Sequence, residues 1–357
     1  MDRATVELYE ARAAEYEARR RPVHAPAAAA FGAACPEGPL VDLGCGPGWY
    51  SAALGPRAVG LDAALAMVRR TREVAPGVPG VQADLSLLPF APGSLAGGWA
   101  RNTYVHLRSV EVPMALRELQ QALMVGGRAE LALFGGDREG RGEVFPDDDF
   151  PGRWFSTWPT QRLTDVVVGA GLHLDELVDE PRSDGIGLTV RATRFVGLAD
   201  TVGSGMRLLV CGLNPSVHAA EAGVGFVTPS NRFWRAAVEA GVVSRPLDPR
   251  HALVEHGVGM TDLVKRPTPR AADLSRDEYR VGVARVARLC EWLQPAAVCC
   301  VGLAGWRAAV DRRAVPGWQP TDLGGCPVYV MPSTSGLNAA TPLPALVDHL
   351  RIALGRA

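Results

Sequence analysis

Lysine is almost missing from this chain of 357 residues: Lys265 is the one lysine among 37 Lys and Arg. Schiff-base chemistry, which needs an amine nucleophile, therefore has almost no choice of residue. The seven cysteines, Cys35, Cys45, Cys211, Cys290, Cys299, Cys300 and Cys326, include no C-x-x-C pair. That spacing argues against a zinc site or an iron–sulfur cluster, so no metal is expected and the thiols are read as buried. No run of about 18 apolar residues is present. The N-terminus opens with charged residues rather than an apolar signal core, so a soluble, cytoplasmic protein without a membrane partner is expected.

What is present suffices for two cores. A hydrophobic content of 47% over this length exceeds what one compact domain needs. The net charge of −1 hides an asymmetry: residues 1–200 hold 20 Arg and 26 acids, a balance of −6, whereas residues 201–357 hold 16 Arg, one Lys and 12 acids, a balance of +5. Only the back half leans toward a polyanion. The stretch 199–206, with two glycines, a serine and an aspartate ahead of a new apolar run at Met206, reads as a linker between domains 1–198 and 207–357.

In the front half, Leu40-Val41-Asp42-Leu43-Gly44-Cys45-Gly46-Pro47-Gly48 is a short apolar run passing into a glycine-rich turn, and Trp49 to Leu54 starts a helix. Strand, loop and helix in that order open the crevice in which doubly wound sheets bind nucleotides. Ala58 to Asp62 and Ala83-Asp84 supply two further acid-bearing strand ends, and Leu119 to Leu133 carries a Val125-Gly126-Gly127 turn. Together these resemble class I S-adenosylmethionine-dependent methyltransferases over roughly residues 5–195. The resemblance implies a Rossmann-like seven-stranded α/β/α sheet. It implies S-adenosylmethionine held by Asp42, Gly44, Cys45, Gly46, Gly48, Asp62 and Asp84, with ribose on Asp62 and adenine beside Asp84.

The methyl acceptor stays open. Neither an N-P-P-Y-type tetrapeptide nor a Pro-Cys pair ends the fourth strand, Gly98 to Tyr104, which leaves out the pattern of the DNA base methyltransferases. Asn102, Tyr104 and His106 stand where a substrate-facing loop would begin, with His106 weighed as a base and as a packing residue. Asp147-Asp148-Asp149 reads as a solvated loop, and Trp154, Phe155 and Trp158 as core aromatics or a pocket floor.

In the back half, Leu208 to Val210 reads as a buried strand and Gly212-Leu213-Asn214-Pro215-Ser216 as the turn at its end. Asn214 can orient a water but cannot ionise as a base. Phe226 offers a flat face for a pyrimidine, and Pro229-Ser230-Asn231-Arg232-Phe233-Trp234 starts a helix whose amides and arginine suit a phosphate. Val298 to Gly302 and Val328 to Met331 read as buried strands. After the second come Ser333, Thr334, Ser335, Gly336, Leu337 and Asn338, hydroxyls for phosphates and an apolar wedge on a flexible tip.

These three ordered segments, with Thr261 to Thr268, resemble mismatch-specific uracil/thymine DNA glycosylases over nearly all of residues 207–352. The resemblance implies a four-stranded parallel sheet between helices and no cofactor. It places Asn214 in catalysis, Gly212, Leu213, Ser216, Phe226 and Asn231 in the base pocket, and Arg232 with residues 333–338 on DNA. Ser216 stands where the family usually has glycine and Leu213 where isoleucine is commoner, which bears on base preference. The expected activity is monofunctional hydrolysis of the glycosidic bond of uracil, or of related mispaired or modified pyrimidines, in DNA for base excision repair. Asp262 is ranked as structural before catalytic. The competing expectation is a methyltransferase acting on a small molecule or nucleic acid, its back half a catalytically weak DNA-binding module. Neither oligomeric state nor communication between the halves is legible.

Overall fold

Short apolar runs that end in glycine or aspartate become the parallel strands of two separate sheets. The computed structural model describes residues 1–182 and 185–355. Two compact units emerge, Met1–Val167 with Leu172–Phe195, and Val168–Gly171 with Val196–Ala357.

In the first unit, helices α1 (Arg3–Arg19) and α2 (Ala25–Ala34) precede β1 (Leu40–Leu43), α3 (Trp49–Leu54), β2 (Ala58–Asp62), α4 (Leu65–Val74), β3 (Gly80–Gln82), β4 (Leu95–Arg101), α5 (Val112–Ala122) and β5 (Leu123–Phe134). A small hairpin, β6 (Glu139–Arg141) with β7 (Trp154–Ser156), leads to α6 (Thr160–Gly169), β8 (Leu172–Arg182) and β9 (Gly185–Arg194). The seven-stranded sheet runs β3-β2-β1-β4-β5-β9-β8. Its first five strands are parallel, and β9 pairs antiparallel with both β5 and β8. The strand order reverses beside β1, the place where such sheets bind ligands. The turn expected at Val125-Gly126-Gly127 lies instead within β5, where the register against β4 shifts and Gly126 takes φ 84°. A bulge absorbs it.

The second unit contains β10 (Leu208–Gly212), α7 (Val217–Ala222), α8 (Phe233–Glu239), α9 (Pro249–His256), β11 (Val258–Asp262), α10 (Arg276–Leu293), β12 (Val298–Val301), α11 (Leu303–Ala309), β13 (Gly317–Trp318), β14 (Val328–Met331) and α12 (Leu343–Leu354). Its sheet runs β11-β10-β12-β14-β13. Four strands are parallel, as the sequence suggested, and the two-residue β13 adds an antiparallel fifth on the β14 edge. Core side chains from β10, β12 and β14 pack on Phe233, Trp234, Leu346 and Leu350.

Residues 199–206, read as a linker, carry buried Asp200, Thr201, Val202 and Met206. Thr201 and Met260 exchange two backbone hydrogen bonds of 2.8 Å, which joins this stretch to the edge of β11. Among the described residues no helix is long and apolar enough to cross a membrane.

Candidate functional site

The turn after β1 places Gly44 (φ 69°), Gly46 (φ 53°) and Gly48 (φ 91°) in the left-handed region that side chains resist. The three serve different ends. A Cβ on Gly44 would lie 2.1 Å from Thr103 and one on Gly48 2.7 Å from Thr71, so both are demanded by close packing. Gly46 is open, with nothing nearer than the Tyr16 ring at 4.0 Å. Its N–H donates to Asp62 Oδ2 (3.0 Å) while Ala64 N–H donates to Oδ1 (2.9 Å), which leaves each oxygen a lone pair for hydroxyl donors. Burial pushes the Asp62 carboxyl up to about 6. An open glycine beside such a carboxylate fits a nucleoside-bearing cofactor.

Asp42 and Cys45, expected at the cofactor, turn their side chains inward. Asp42 accepts from Ser51 Oγ (2.7 Å), its second oxygen is buried without a partner, and burial pushes its carboxyl up to about 7. The Cys45 thiol lies 3.3 Å from Thr71 Oγ1. Both brace the turn from behind, because their Cβ atoms sit on its packed side. Asp84 accepts from Ser86 N–H (2.8 Å) and pairs with the Met1 amino group (2.7 Å).

His106 is a neutral strut. Its Nδ1 lies 2.7 Å from the Trp154 carbonyl and must carry the proton; Nε2 then accepts from Tyr9 Oη (2.9 Å), which itself accepts from Arg153 (2.6 Å). Burial pulls the imidazole down to about 4. Asp148, read as solvated, pairs instead with the buried Arg153 (Nε at 2.9 Å), because that guanidinium needs a counter-charge once enclosed by Tyr9, Phe150 and Phe155. Phe155 and Trp158 are core residues. Of the three residues placed at the acceptor loop, Tyr104 and His106 are buried, and half-buried Asn102 takes φ 54° with its Oδ1 unpartnered.

In the second unit, β10 brings Gly212 to Ser216 to the carboxyl end of the sheet. Asn214 Nδ2 is 2.8 Å from Thr268 Oγ1, 3.2 Å from the Arg266 carbonyl and 3.1 Å from the Pro215 carbonyl, and the Thr268 hydroxyl proton goes to the Arg270 carbonyl (2.9 Å). Three acceptors around one terminus fix the amide, with Oδ1 left to accept from water. Ser216 Oγ accepts from Ala219 N–H (3.1 Å) and caps α7. Its hydroxyl thus serves the helix. The Leu213 side chain leaves the expected pocket for α11, where a Cβ on Gly305 would lie 2.5 Å from it.

A Cβ on Gly212 would lie 2.2 Å from Asp262 Oδ1 and 3.4 Å from the Phe226 ring, so these three residues meet. Phe226 (φ 57°) stacks on Phe233, centroids 4.3 Å apart and planes 26° apart, and lines a small pocket with Met260, Thr261 and Asp262. Trp234 packs as expected, its Nε1 donating to the Gly225 carbonyl (2.8 Å). Asn231 Oδ1 accepts from Phe233 N–H (2.9 Å), which leaves its amide nitrogen as a donor.

Arg232 does not present itself to phosphate. Its guanidinium donates to the carbonyls of Thr341 (2.6 Å), Asn338 (2.6 Å) and Ser335 (3.3 Å), clamping the 333–341 loop. Thr334 is buried, and Asn338 Nδ2 donates to the Ser333 carbonyl (2.8 Å), so both belong to the loop's frame. Ser333 and Ser335 accept from the N–H groups of Ser335 (3.2 Å) and Leu337 (3.3 Å). A Cβ on Gly336 would lie 2.6 Å from Ser230. Leu337, 97% exposed, projects from this braced loop.

Residues 200–352 match the family model described as the uracil DNA glycosylase superfamily, and residues 40–127 match a model described as a methyltransferase domain. The chain joins a methyltransferase domain to a uracil DNA glycosylase superfamily domain. Among solved structures it is similar to an S-adenosylmethionine-dependent methyltransferase from Mesorhizobium loti, at 20% identity over 47% of this chain and 96% of that one, TM-score 0.39. It is also similar to 1,6-didemethyltoxoflavin-N1-methyltransferase from Burkholderia thailandensis, solved with 1,6-didemethyltoxoflavin and S-adenosylhomocysteine, at 17% identity over 54% of this chain and 88% of that one, TM-score 0.43.

In the glycosylase-superfamily domain Asp262, ranked by the sequence as structural before catalytic, has its carboxylate buried without a partner among the described residues. This residue is 7% exposed, and burial pushes its carboxyl up to about 6 against the opposing pull of Lys265. The structural role expected of it falls to Asp200, which accepts from Lys265 Nζ (2.8 Å), Arg285 (2.8 Å) and Thr261 Oγ1 (2.7 Å). Burial alone would raise Asp200, yet the two cations hold it below the ordinary carboxylate range. Lys265 is correspondingly enclosed, with 11% of its side chain exposed. A strand ending in an acid beside the first motif was the available clue.

Proposed function

We propose that the uracil DNA glycosylase superfamily domain hydrolyses the N-glycosidic bond of uracil, and of related mispaired or modified pyrimidines, in DNA for base excision repair. The fixed orientation of Asn214 carries this reading. With its amide nitrogen bound to three acceptors, Oδ1 can hold a water for attack on the sugar while the base lies against Phe226. Asp262, ionised and unpaired above about 6, accepts the proton of that water. The amide nitrogen of Asn231 and the backbone N–H groups of Leu213, Asn214 and Ser216 suit the negative charge that develops on the departing base. Leu337 fills the gap that the extruded nucleotide leaves in the stack.

Lys265 is bound to Asp200, so no free amine stands ready for a lyase step, and the domain is read as monofunctional. The weakly catalytic alternative drew on the bulk of Ser216 in the base pocket. Its hydroxyl caps α7, which supports the hydrolytic reading instead.

For the methyltransferase domain we propose S-adenosylmethionine as cofactor, which when bound supplies a methyl group activated on a sulfonium. Gly46 allows close backbone approach and Asp62 accepts from ribose hydroxyls. Asn102, strained and with an unpartnered Oδ1, stands at the acceptor side. The test for the glycosylase is incubation of the full chain, in excess, with G·U duplex and single-stranded uracil oligonucleotides, followed by alkali. Strand breaks that disappear in Asn214→Ala are expected. Unbroken uracil DNA at enzyme excess would defeat the reading.

A further inference from the structure

We propose that Asp200 is a positioning residue of the second unit's site, taking up the Lys265 ammonium so that the Asp262 carboxylate keeps no ion-pair partner. The inference rests on the glycosylase reading and adds to it a residue that lies ahead of β10, outside the motifs that read as the site.

Every hydrogen bond to the Asp200 carboxylate comes from a neighbour of Asp262. Lys265, three positions beyond Asp262, reaches Oδ1 of Asp200 at 2.8 Å. Arg285, on α10, reaches Oδ2 at 2.8 Å and with its other nitrogen donates to the Asp262 backbone carbonyl (2.7 Å) and to Thr261 Oγ1 (2.9 Å). Thr261 Oγ1 donates in turn to Asp200 (2.7 Å). The strand end is tied down on its backbone, and the Asp262 side chain is left alone against Gly212 and Phe226. The groups facing Asp262 are Lys265 from its own loop, Asp200 from the preceding segment, Arg285 from α10 and the Cys211 thiol of β10.

Two cations and two carboxylates balance here. Were Asp200 neutral, Lys265 and Arg285 would be enclosed with Asp262 as the one remaining counter-charge. Arg285 is held by the backbone, but the lysine stem is flexible and would swing to Asp262. A paired carboxylate is a weaker base and has fewer lone pairs for water. Asp200 thus decides which acid the lysine neutralises.

The experiment uses full-length protein and three variants, Asp200→Asn, Lys265→Met and the double variant. Each is followed by single-turnover uracil release from pH 5 to 9 and by the carboxyl carbon NMR titration of Asp262, assigned with Asp262→Asn. In Asp200→Asn the Asp262 midpoint should fall by about one pH unit and release at pH 8 by roughly tenfold or more. Adding Lys265→Met should carry the midpoint back up and recover most of the rate. An unmoved midpoint in Asp200→Asn, or a double variant that stays low, overturns the proposal. If Asp200→Asn does not fold, Lys265→Met alone decides: a raised midpoint supports the proposal and an unchanged one overturns it. Should the wild type release no uracil, the glycosylase reading fails, and the NMR midpoints still judge Asp200.

Discussion

Asn214 and Thr268 hold each other in a single orientation, with the amide nitrogen of Asn214 2.8 Å from a threonine oxygen whose own proton is committed to the Arg270 carbonyl. Asn214→Ala should lower single-turnover uracil release by about 10²-fold and leave binding to abasic DNA intact. Thr268→Val removes one of the acceptors that fix the amide, and a loss of roughly tenfold is expected. If abasic-site binding fell in parallel with the rate, Asn214 would be a folding residue.

Asp262 should set the acid limb of the reaction. A base works when deprotonated, so release should fall as pH drops through about 6. Asp262→Asn should flatten that limb and lower the plateau by about 10²-fold or more. The stability effect has the opposite sense. A carboxyl raised from 3.8 in the folded state binds protons there that the unfolded chain has released, so its cost grows as pH rises from about 4 to about 6. Asp262→Asn should therefore melt higher than wild type at pH 8 and equally at pH 4. A variant that melts lower at both would show that the carboxylate has structural partners after all.

The strands and glycine turns were legible because apolar runs and turn chemistry are local. Partners were not. An arginine ahead of a helix looks the same in sequence whether it meets phosphate or, like Arg232, three loop carbonyls. Asp200 and Asp262 likewise differ only through tertiary neighbours, and Asp148 looked solvated until Arg153 folded onto it. Ser216 is readable as an N-cap from its place before α7. In the first unit, Gly44, Gly46 and Gly48 form one motif, yet only the packing of Thr103 and Thr71 tells which of them is left open.

Arg232 should behave as a structural clamp. Arg232→Met forfeits three charge-assisted bonds to carbonyls that half-burial keeps from full hydration, at a cost of about 2–3 kcal/mol. Faster amide hydrogen exchange across residues 333–341 and a lower melting temperature are the expected readouts. The salt dependence of DNA binding should stay as in wild type, because a phosphate contact would instead contribute to that slope.

Leu337 can be tested without touching stability. At 97% exposure it packs on nothing, so Leu337→Ala should leave the melting temperature unchanged. Uracil release should fall by about tenfold on duplex and much less on single-stranded DNA, where no stack needs filling. Equal losses on both substrates would assign Leu337 to backbone binding instead of a wedge.

Gly44 and Gly46 should separate packing from cofactor binding. A methyl group at Gly44 would stand 2.1 Å from Thr103, well inside contact distance, so Gly44→Ala should distort the turn and lower the melting temperature of the first unit strongly. At Gly46 the same methyl meets only the Tyr16 ring at 4.0 Å, leaving backbone strain at φ 53° of about 1 kcal/mol. Gly46→Ala should therefore fold, yet bind S-adenosylhomocysteine at least tenfold more weakly in calorimetry, since the added methyl occupies the side from which a ligand approaches the backbone. Asp62→Asn should also weaken binding, because an amide offers one acceptor oxygen and its nitrogen would face the Gly46 or Ala64 N–H donor. Wild-type affinity in Gly46→Ala would place the cofactor elsewhere on the sheet.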